Sequence, residues 1–209
     1  MSEVVLEKMI QGYMATNQSV YSFGWQGGEP TLMGLDFFRK VVTLQKKYSR
    51  SGTQITNGIQ TNAILIDDKF AEHFANNQFL VGCSLDGPAE IHDHYRRNKT
   101  GGPSHAAVLK GIKMMQRHRV EFNILVLVSK ANVHHAMEIY NYLVDQGFYY
   151  HQYIPCVEFD NKGQLVPFAI TDQQWADFMC TIFDQWYSSS RNKVSVRYFD
   201  SILQKLMDG

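Results

Sequence analysis

Val20-Tyr21-Ser22-Phe23-Gly24-Trp25-Gln26-Gly27-Gly28-Glu29-Pro30 is the stretch on which the reading of this chain turns. Its first half alternates in the manner of a β-strand, and an amphipathic helix is expected to begin near Gly34. The glycine pair between them lets backbone approach a ligand with no Cβ in the way. Pro30 removes one N–H and pushes Glu29 into an extended conformation. The expected product is a polar backbone shelf at the carboxyl end of a strand, where α/β folds place their ligands.

Outward from that shelf the pattern alternates strand and helix. Helices are expected over Ser2–Ala15, Leu35–Lys47, Asp67–Asn76, Ser104–His118 and Asn132–Gln146, with Asn132 as an N-cap. Strands are expected over Ser19–Trp25, Gln54–Gln60, Phe79–Leu85, Val120–Val128 and Tyr149–Val157. Phe79–Leu85 is nearly continuous apolar, as for a parallel strand covered on both faces. Asp86–Pro103 is expected to be a polar loop. After Glu158 the rhythm breaks: a connection, a helix Thr171–Ser188, a β-like Val194–Phe199 and a helix Ser201–Met207 follow. Tandem βα units imply a parallel sheet with right-handed crossovers. Opened by an unpaired helix, they suggest a barrel that lacks its first strand.

Charge and size narrow the function. The 209 residues carry 20 basic and 20 acidic side chains, so no bulk charge favours nucleic acid or an anionic membrane. Apolar runs are too short to span a bilayer, and residues 1–18 do not resemble a signal peptide. The three cysteines, Cys83, Cys156 and Cys180, are widely spaced and odd in number. They point to a reducing, cytoplasmic setting and to small buried hydrophobes rather than a disulfide framework.

Polar segments gather at the strand carboxyl ends: Gln26–Pro30, Gln60-Thr61-Asn62, Ser84-Leu85-Asp86-Gly87-Pro88 and Gln152–Val157. In that order, with Glu90-Ile91-His92-Asp93-His94-Tyr95-Arg96 and Val120–Leu125, they resemble the radical S-adenosylmethionine (AdoMet) superfamily. Within it they resemble the anaerobic sulfatase-maturating enzymes, over essentially the whole chain. The resemblance implies an α/β fold, a partial (β/α)6 barrel. It makes residues 1–157 a core and 158–209 a connection and helix leading towards an auxiliary-cluster domain.

It also implies roles. Gly27, Gly28 and Glu29 would meet the AdoMet amino group chiefly through backbone, and Ser84 and Arg96 its carboxylate. A guanidinium suits a carboxylate because its N–H fork pairs with both oxygens. Val157 would lie near the adenine; Gln26 would adjoin both cofactor and substrate peptide, with Gln60 and Asn62 as further peptide contacts. His92 with His94, and His134 with His135, lack partners at metal spacing and are expected to anchor loops or face solvent.

The family's [4Fe–4S] cluster needs Cys-x-x-x-Cys-x-x-Cys, which this sequence does not contain. No catalytic side chain is assigned, and the chain is expected to be a fragment of a formylglycine-forming enzyme, inactive alone. Its partner would be a sulfatase polypeptide, and its unpaired sheet edge a site of self-association. Alternatives from other classes are a peptide-binding barrel module without radical chemistry and an unrelated α/β-barrel enzyme.

Overall fold

The computed structural model describes residues 1–188 and 194–208. Its elements in chain order are α1 (Glu3–Met14), β1 (Val20–Trp25), a 3-10 turn (Pro30–Met33), α2 (Leu35–Tyr48), β2 (Gln54–Thr61), α3 (Asp68–Asn76), β3 (Phe79–Ser84), α4 (Ala89–Tyr95), α5 (His105–Arg117), β4 (Phe122–Val128), α6 (Ala136–Asp145), β5 (Tyr150–Pro155), α7 (Asp172–Ser188), β6 (Ser195–Val196) and α8 (Arg197–Asp208). Among the described residues the sheet has six strands in the order β1-β2-β3-β4-β5-β6, and β1 pairs with β2, β4 with β5 and β5 with β6 in parallel. A parallel neighbour requires a crossover, and the alternating helices supply it. Contacts divide the chain into two compact units, Met1–Gly82 with Lys110–Phe122 and Cys83–Leu109 with Asn123–Gly209.

In the first unit, Ser2 caps α1 by accepting from the Val5 N–H, and Leu6, Ile10 and Met14 fall on its buried stripe at helical spacing. β1 alternates strictly: Tyr21, Phe23 and Trp25 are buried, and Val20, Ser22 and Gly24 are exposed. Phe38 of α2, fully buried, meets Trp25, Phe70, Phe74 and Phe79 edge-on, with ring centroids 5.6–6.4 Å apart. Such pairs add to the large apolar area each ring buries. The buried side chain of Asn57 is satisfied inside this core. Asn57 accepts from Trp25 Nε1 (3.0 Å) and Gln45 Nε2 (2.9 Å) and donates to Gln45 Oε1 (3.0 Å).

The other face of β1 and β2 is open and built of small or polar residues. Ser22 faces Thr56 and Gly24 faces Gly58 in register, and the Thr56 hydroxyl donates to that of Ser22 at 2.9 Å. That openness corrects one expectation. Phe79–Ser84 is not covered on both faces: Phe79, Val81 and Cys83 are buried, whereas Leu80 is 54% exposed.

In the second unit Ile124, Val126 and Val128 of β4, Ile139 and Leu143 of α6, Phe178 and Ile182 of α7 and Val196 form the core. Three further corrections fall here. Asp86–Pro103 is not wholly loop, since Ala89–Tyr95 is helical. Asn132 caps no helix: its side chain accepts from Ser129 N–H and donates to the Leu127 carbonyl, closing a turn, and α6 begins after His135. Of Val194–Phe199 only Ser195 and Val196 pair as a strand, and α8 takes over at Arg197.

Candidate functional site

The turn after β1 has the backbone that its sequence demands. Gly27 and Gly28 adopt φ of 112° and 55°, a region that side-chain-bearing residues enter only with strain. Glu29 is extended at φ −124°, ψ 104°, and Pro30 opens the 3-10 turn. Both glycines are exposed, and a Cβ on either would meet nothing within 4 Å, so their backbone faces open space.

The Glu29 carboxylate faces inward. Oε1 accepts from Thr31 N (3.0 Å), Thr31 Oγ1 (2.5 Å) and Thr61 Oγ1 (2.7 Å), and Oε2 accepts from the Asn62 N–H (2.8 Å). One side chain therefore ties the turn after β1 to the end of β2. Thr61 continues the chain by accepting from Ala63 N–H at 3.0 Å, and Asn62 Oδ1 accepts from Ile64 N–H at 3.0 Å. With its oxygens occupied, Glu29 has backbone to offer a ligand. Gln26 is exposed and Gln60 half-buried, and neither side chain has a hydrogen-bond partner among the described residues; Asn62 is committed to its own turn.

Charge-assisted bonds of this kind are each worth about 1.5–3 kcal/mol, and a buried donor left unpaired costs about as much. Glu29→Ala is therefore expected to lower stability by about 2–3 kcal/mol and to speed amide exchange at Asn62. Urea denaturation and hydrogen exchange measure the two. Unchanged Asn62 exchange would show that the carboxylate is not what holds the turn.

The second unit contributes a different assembly. Ser84 ends β3 and is buried. Two residues on, Asp86 forms a two-pronged ion pair with Arg96: Nε donates to Oδ2 at 2.5 Å and Nη2 to Oδ1 at 3.1 Å. Oδ1 also accepts from the Leu127 N–H at 2.9 Å. Arg96 thus has its guanidinium plane fixed, with Nη1 unengaged among the described residues. Its neighbour Arg97 is exposed and braces the following loop by donating to the carbonyls of His94 and Gly101. Gly87 between them has φ 128°, and a Cβ there would lie 3.0 Å from Ile139 Cγ1, so the turn after Asp86 requires glycine.

His92, 1% exposed, lies beneath this pair on α4. Nδ1 accepts from Asp86 N–H (3.2 Å), and Nε2 lies 3.1 Å from Ser104 Oγ, which donates to the Arg96 carbonyl at 2.7 Å. Burial pulls its pKa down to about 4, the Asp86 carboxylate opposing and Arg96 assisting. Val157 is 53% exposed. It follows Cys156, whose N–H donates to the Val128 carbonyl at 2.8 Å.

Asp86, quoted at a strand end, received no role from the sequence, and His92, expected to anchor a loop or face solvent, is a buried anchor. The available signal was a carboxylate just beyond a strand end, with an arginine ten residues later across a helix.

Residues 2–143 match the Radical SAM superfamily. The chain belongs to that superfamily. A serine-type anaerobic sulfatase-maturating enzyme of Bacteroides thetaiotaomicron is 38% identical over 99% of this chain and 54% of its own length. A cysteine-type enzyme of Clostridium perfringens is 36% identical over 100% of this chain and 57% of its own. Among solved structures, native anSMEcpe with bound AdoMet and Cp18Cys peptide superposes with TM-score 0.93 at 36% identity, covering 99% of this chain and 58% of that one. Streptococcus suis SuiB bound to S-adenosylmethionine, at 14% identity and TM-score 0.66, shares the fold alone. The expected α/β radical SAM fold is borne out, and the chain spans about half the length of the curated relatives it matches.

Radical SAM enzymes use AdoMet with a [4Fe–4S] cluster, and the residues here fit the two unequally. The open glycine turn suits a small polar group of such a cofactor, and the unengaged Nη1 of Arg96, in the other unit, suits a carboxylate. The cysteines do not suit a cluster. Cys83 and Cys156 are buried as expected, whereas Cys180 is exposed on α7, against the expectation of a buried hydrophobe. Burial raises the Cys156 pKa, cluster ligation needs thiolates, and a single accessible thiol does not supply three. No three His, Cys, Asp or Glu side chains among the described residues are placed to share a metal. No described helix is long and apolar enough to cross a membrane.

Proposed function

We propose that this chain is the AdoMet-binding and peptide-binding core of a sulfatase-maturating radical SAM enzyme. The observation that carries the proposal is the Arg96 guanidinium, locked by Asp86 with Nη1 left unengaged among the described residues. The Gly27–Glu29 backbone takes the amino group of AdoMet, Ser84 and Arg96 take its carboxylate, and Val157 adjoins the adenine. Gln26, Gln60 and Asn62 contact the peptide, Asn62 through whatever its turn leaves exposed. Residues 1–157 act as the core and 158–209 as the connection beyond it.

AdoMet held by these residues would supply, once a reduced [4Fe–4S] cluster provided an electron, the hydrogen-abstracting chemistry by which a cysteine or serine Cβ of a sulfatase is oxidised towards formylglycine. What these residues do is hold and orient the cofactor. Lacking fitting thiolates, the chain alone binds and does not turn over. The partner is a sulfatase polypeptide, the compartment the cytoplasm.

The test is calorimetric titration of AdoMet, followed by anaerobic iron–sulfide reconstitution and an assay for 5′-deoxyadenosine. Saturable AdoMet binding, weakened about tenfold or more in Arg96→Ala, with no turnover is the expected result; tenfold corresponds to about 1.4 kcal/mol, the low end for a bond between charged groups. Appreciable turnover would overturn the claim about the cysteines. Peptide binding without any AdoMet binding would favour a peptide-binding module instead.

A further inference from the structure

The ion pair fixes the guanidinium of Arg96 at its tip only, and a second set of bonds fixes the residue at its root. Asp86 N–H can only donate, so Nδ1 of His92 must accept and the ring proton sits on Nε2. That proton points to Ser104 Oγ at 3.1 Å, and the serine proton in turn goes to the Arg96 carbonyl at 2.7 Å. Every donor in the sequence Asp86 N–H, His92, Ser104, Arg96 C=O therefore has one acceptor and one direction.

The circuit closes through the side chains, because Arg96 Nε and Nη2 return to the Asp86 carboxylate. Asp93 holds the far side of the ring by accepting from the Ser104 and His105 N–H groups at 2.7 and 2.9 Å. Each member is buried or half-buried, and the whole circuit lies within one compact unit. Burial keeps the imidazole neutral, which the two opposite bond directions require.

We propose that His92 is a positioning residue for Arg96: through Ser104 and Asp86 it sets the guanidinium so that Nη1 is presented to the carboxylate of AdoMet. The presentation to AdoMet rests on the reading of Arg96 given above; the setting of Arg96 does not. A residue that merely filled space would hold α4 in place without controlling the mobility of one arginine.

The experiment uses the full chain with 15N-arginine. The Arg96 Nε–H, engaged with Asp86, is expected to exchange with water at least about tenfold more slowly than that of exposed Arg39, since a buried ionic hydrogen bond protects its proton. His92→Ala and the milder Ser104→Ala are each expected to remove that protection while the Asn62 amide keeps its own. Protection of Arg96 unchanged in whichever of these variants folds overturns the proposal.

In parallel, dissociation constants are measured for AdoMet and for decarboxylated AdoMet. The wild-type chain is expected to favour AdoMet about tenfold or more, and Arg96→Ala, His92→Ala and Ser104→Ala to lose the preference. A wild-type chain without the preference sinks the carboxylate role of Arg96 and leaves the exchange result to decide its positioning. A preference lost in Arg96→Ala but kept in both other variants overturns the link from His92 to AdoMet.

Discussion

Replacing Gly111 by alanine is expected to destabilise the protein by about 3 kcal/mol or more, the upper end of what overpacking costs. A Cβ built on Gly111 lies 2.0 Å from the Ala63 carbonyl oxygen, 3.0 Å from its carbon and 3.3 Å from Ala63 Cβ. The obstacle is backbone, so no rotamer change relieves it. Ala63 is itself pinned: it is fully buried at φ 58°, its N–H donates to Thr61 Oγ1 (3.0 Å), and its carbonyl accepts from Ile66 N–H (3.2 Å). Moving it aside disturbs Thr61, and with it the Glu29 carboxylate that sets the Gly27-Gly28 turn. Gly111→Ala should therefore lower the melting temperature by roughly 6–12 °C, at about 2–4 °C per kcal/mol for a chain of this size, and loosen the Asn62 amide as well. Gly12 supplies the control. It is an exposed helical glycine whose Cβ would meet nothing within 4 Å, so Gly12→Ala should stabilise by up to about 1 kcal/mol through helix propensity. Two identical chemical changes are thus expected to act with opposite sign. Equal melting temperatures for the two variants would refute the contact at Ala63.

How much of this was legible in the sequence depended on the range of the interactions. The strand–helix alternation was readable because each element carries its own periodicity, as Tyr21, Phe23 and Trp25 do in β1 and Leu6, Ile10 and Met14 do in α1. The extended conformation of Glu29 was readable too, since Pro30 imposes it. The work of its carboxylate was not. Three of its donors lie on Thr31 and Thr61, the fourth is the backbone of Asn62, and a composition pattern does not register pairings 32 and 33 residues apart. Helix α4 escaped because seven residues after Pro88, with Ile91 and His92 alone buried, give too little apolar stripe to separate a helix from a polar loop. That miss hid the pairing of Asp86 with Arg96 and the segments His92 anchors, since only the helix brings Arg96 back onto Asp86. Val194–Phe199 failed for the opposite reason. Its alternation is real, but β5 offers pairing to Ser195 and Val196 alone, and tertiary context hands the rest to α8.

Acidification from pH 7 to pH 5 is expected to cost this protein about 4 kcal/mol of folding free energy, through two histidines. Burial holds the pKa of His92 at about 4 and that of His151 at about 4, against an ordinary value of 6.5. His151, 2% exposed, donates from Nε2 to the Phe148 carbonyl at 2.9 Å and accepts from Tyr153 Oη at 3.2 Å, an arrangement that needs the neutral ring. Around His92, Asp86 and Asp93 favour the charged ring while Arg96 and His105 oppose it, and desolvation outweighs them all. A histidine whose folded pKa is depressed gains its proton first in the unfolded chain. The folded state therefore loses stability as pH falls through 6.5, and the loss stops growing below about 4. A pH of 5 lies about 1.5 units below the ordinary value, which is worth roughly 2 kcal/mol for each ring at 1.36 kcal/mol per unit. His73 and His105 are shifted the same way, again chiefly by burial, and add to the loss. The carboxylates of Glu7, Asp68 and Asp93 are held low and begin to contribute only below their ordinary range, outside this window. Set against a typical total of about 5–15 kcal/mol, a loss of 4 removes between roughly a quarter and four-fifths of the stability at mildly acid pH. Urea denaturation at pH 7 and pH 5 measures the difference, and the Cε1–H resonances of His92 and His151 should stay at their neutral positions throughout. Equal urea midpoints at the two pH values, or either resonance titrating near 6.5, would show that these rings are not held neutral by the fold.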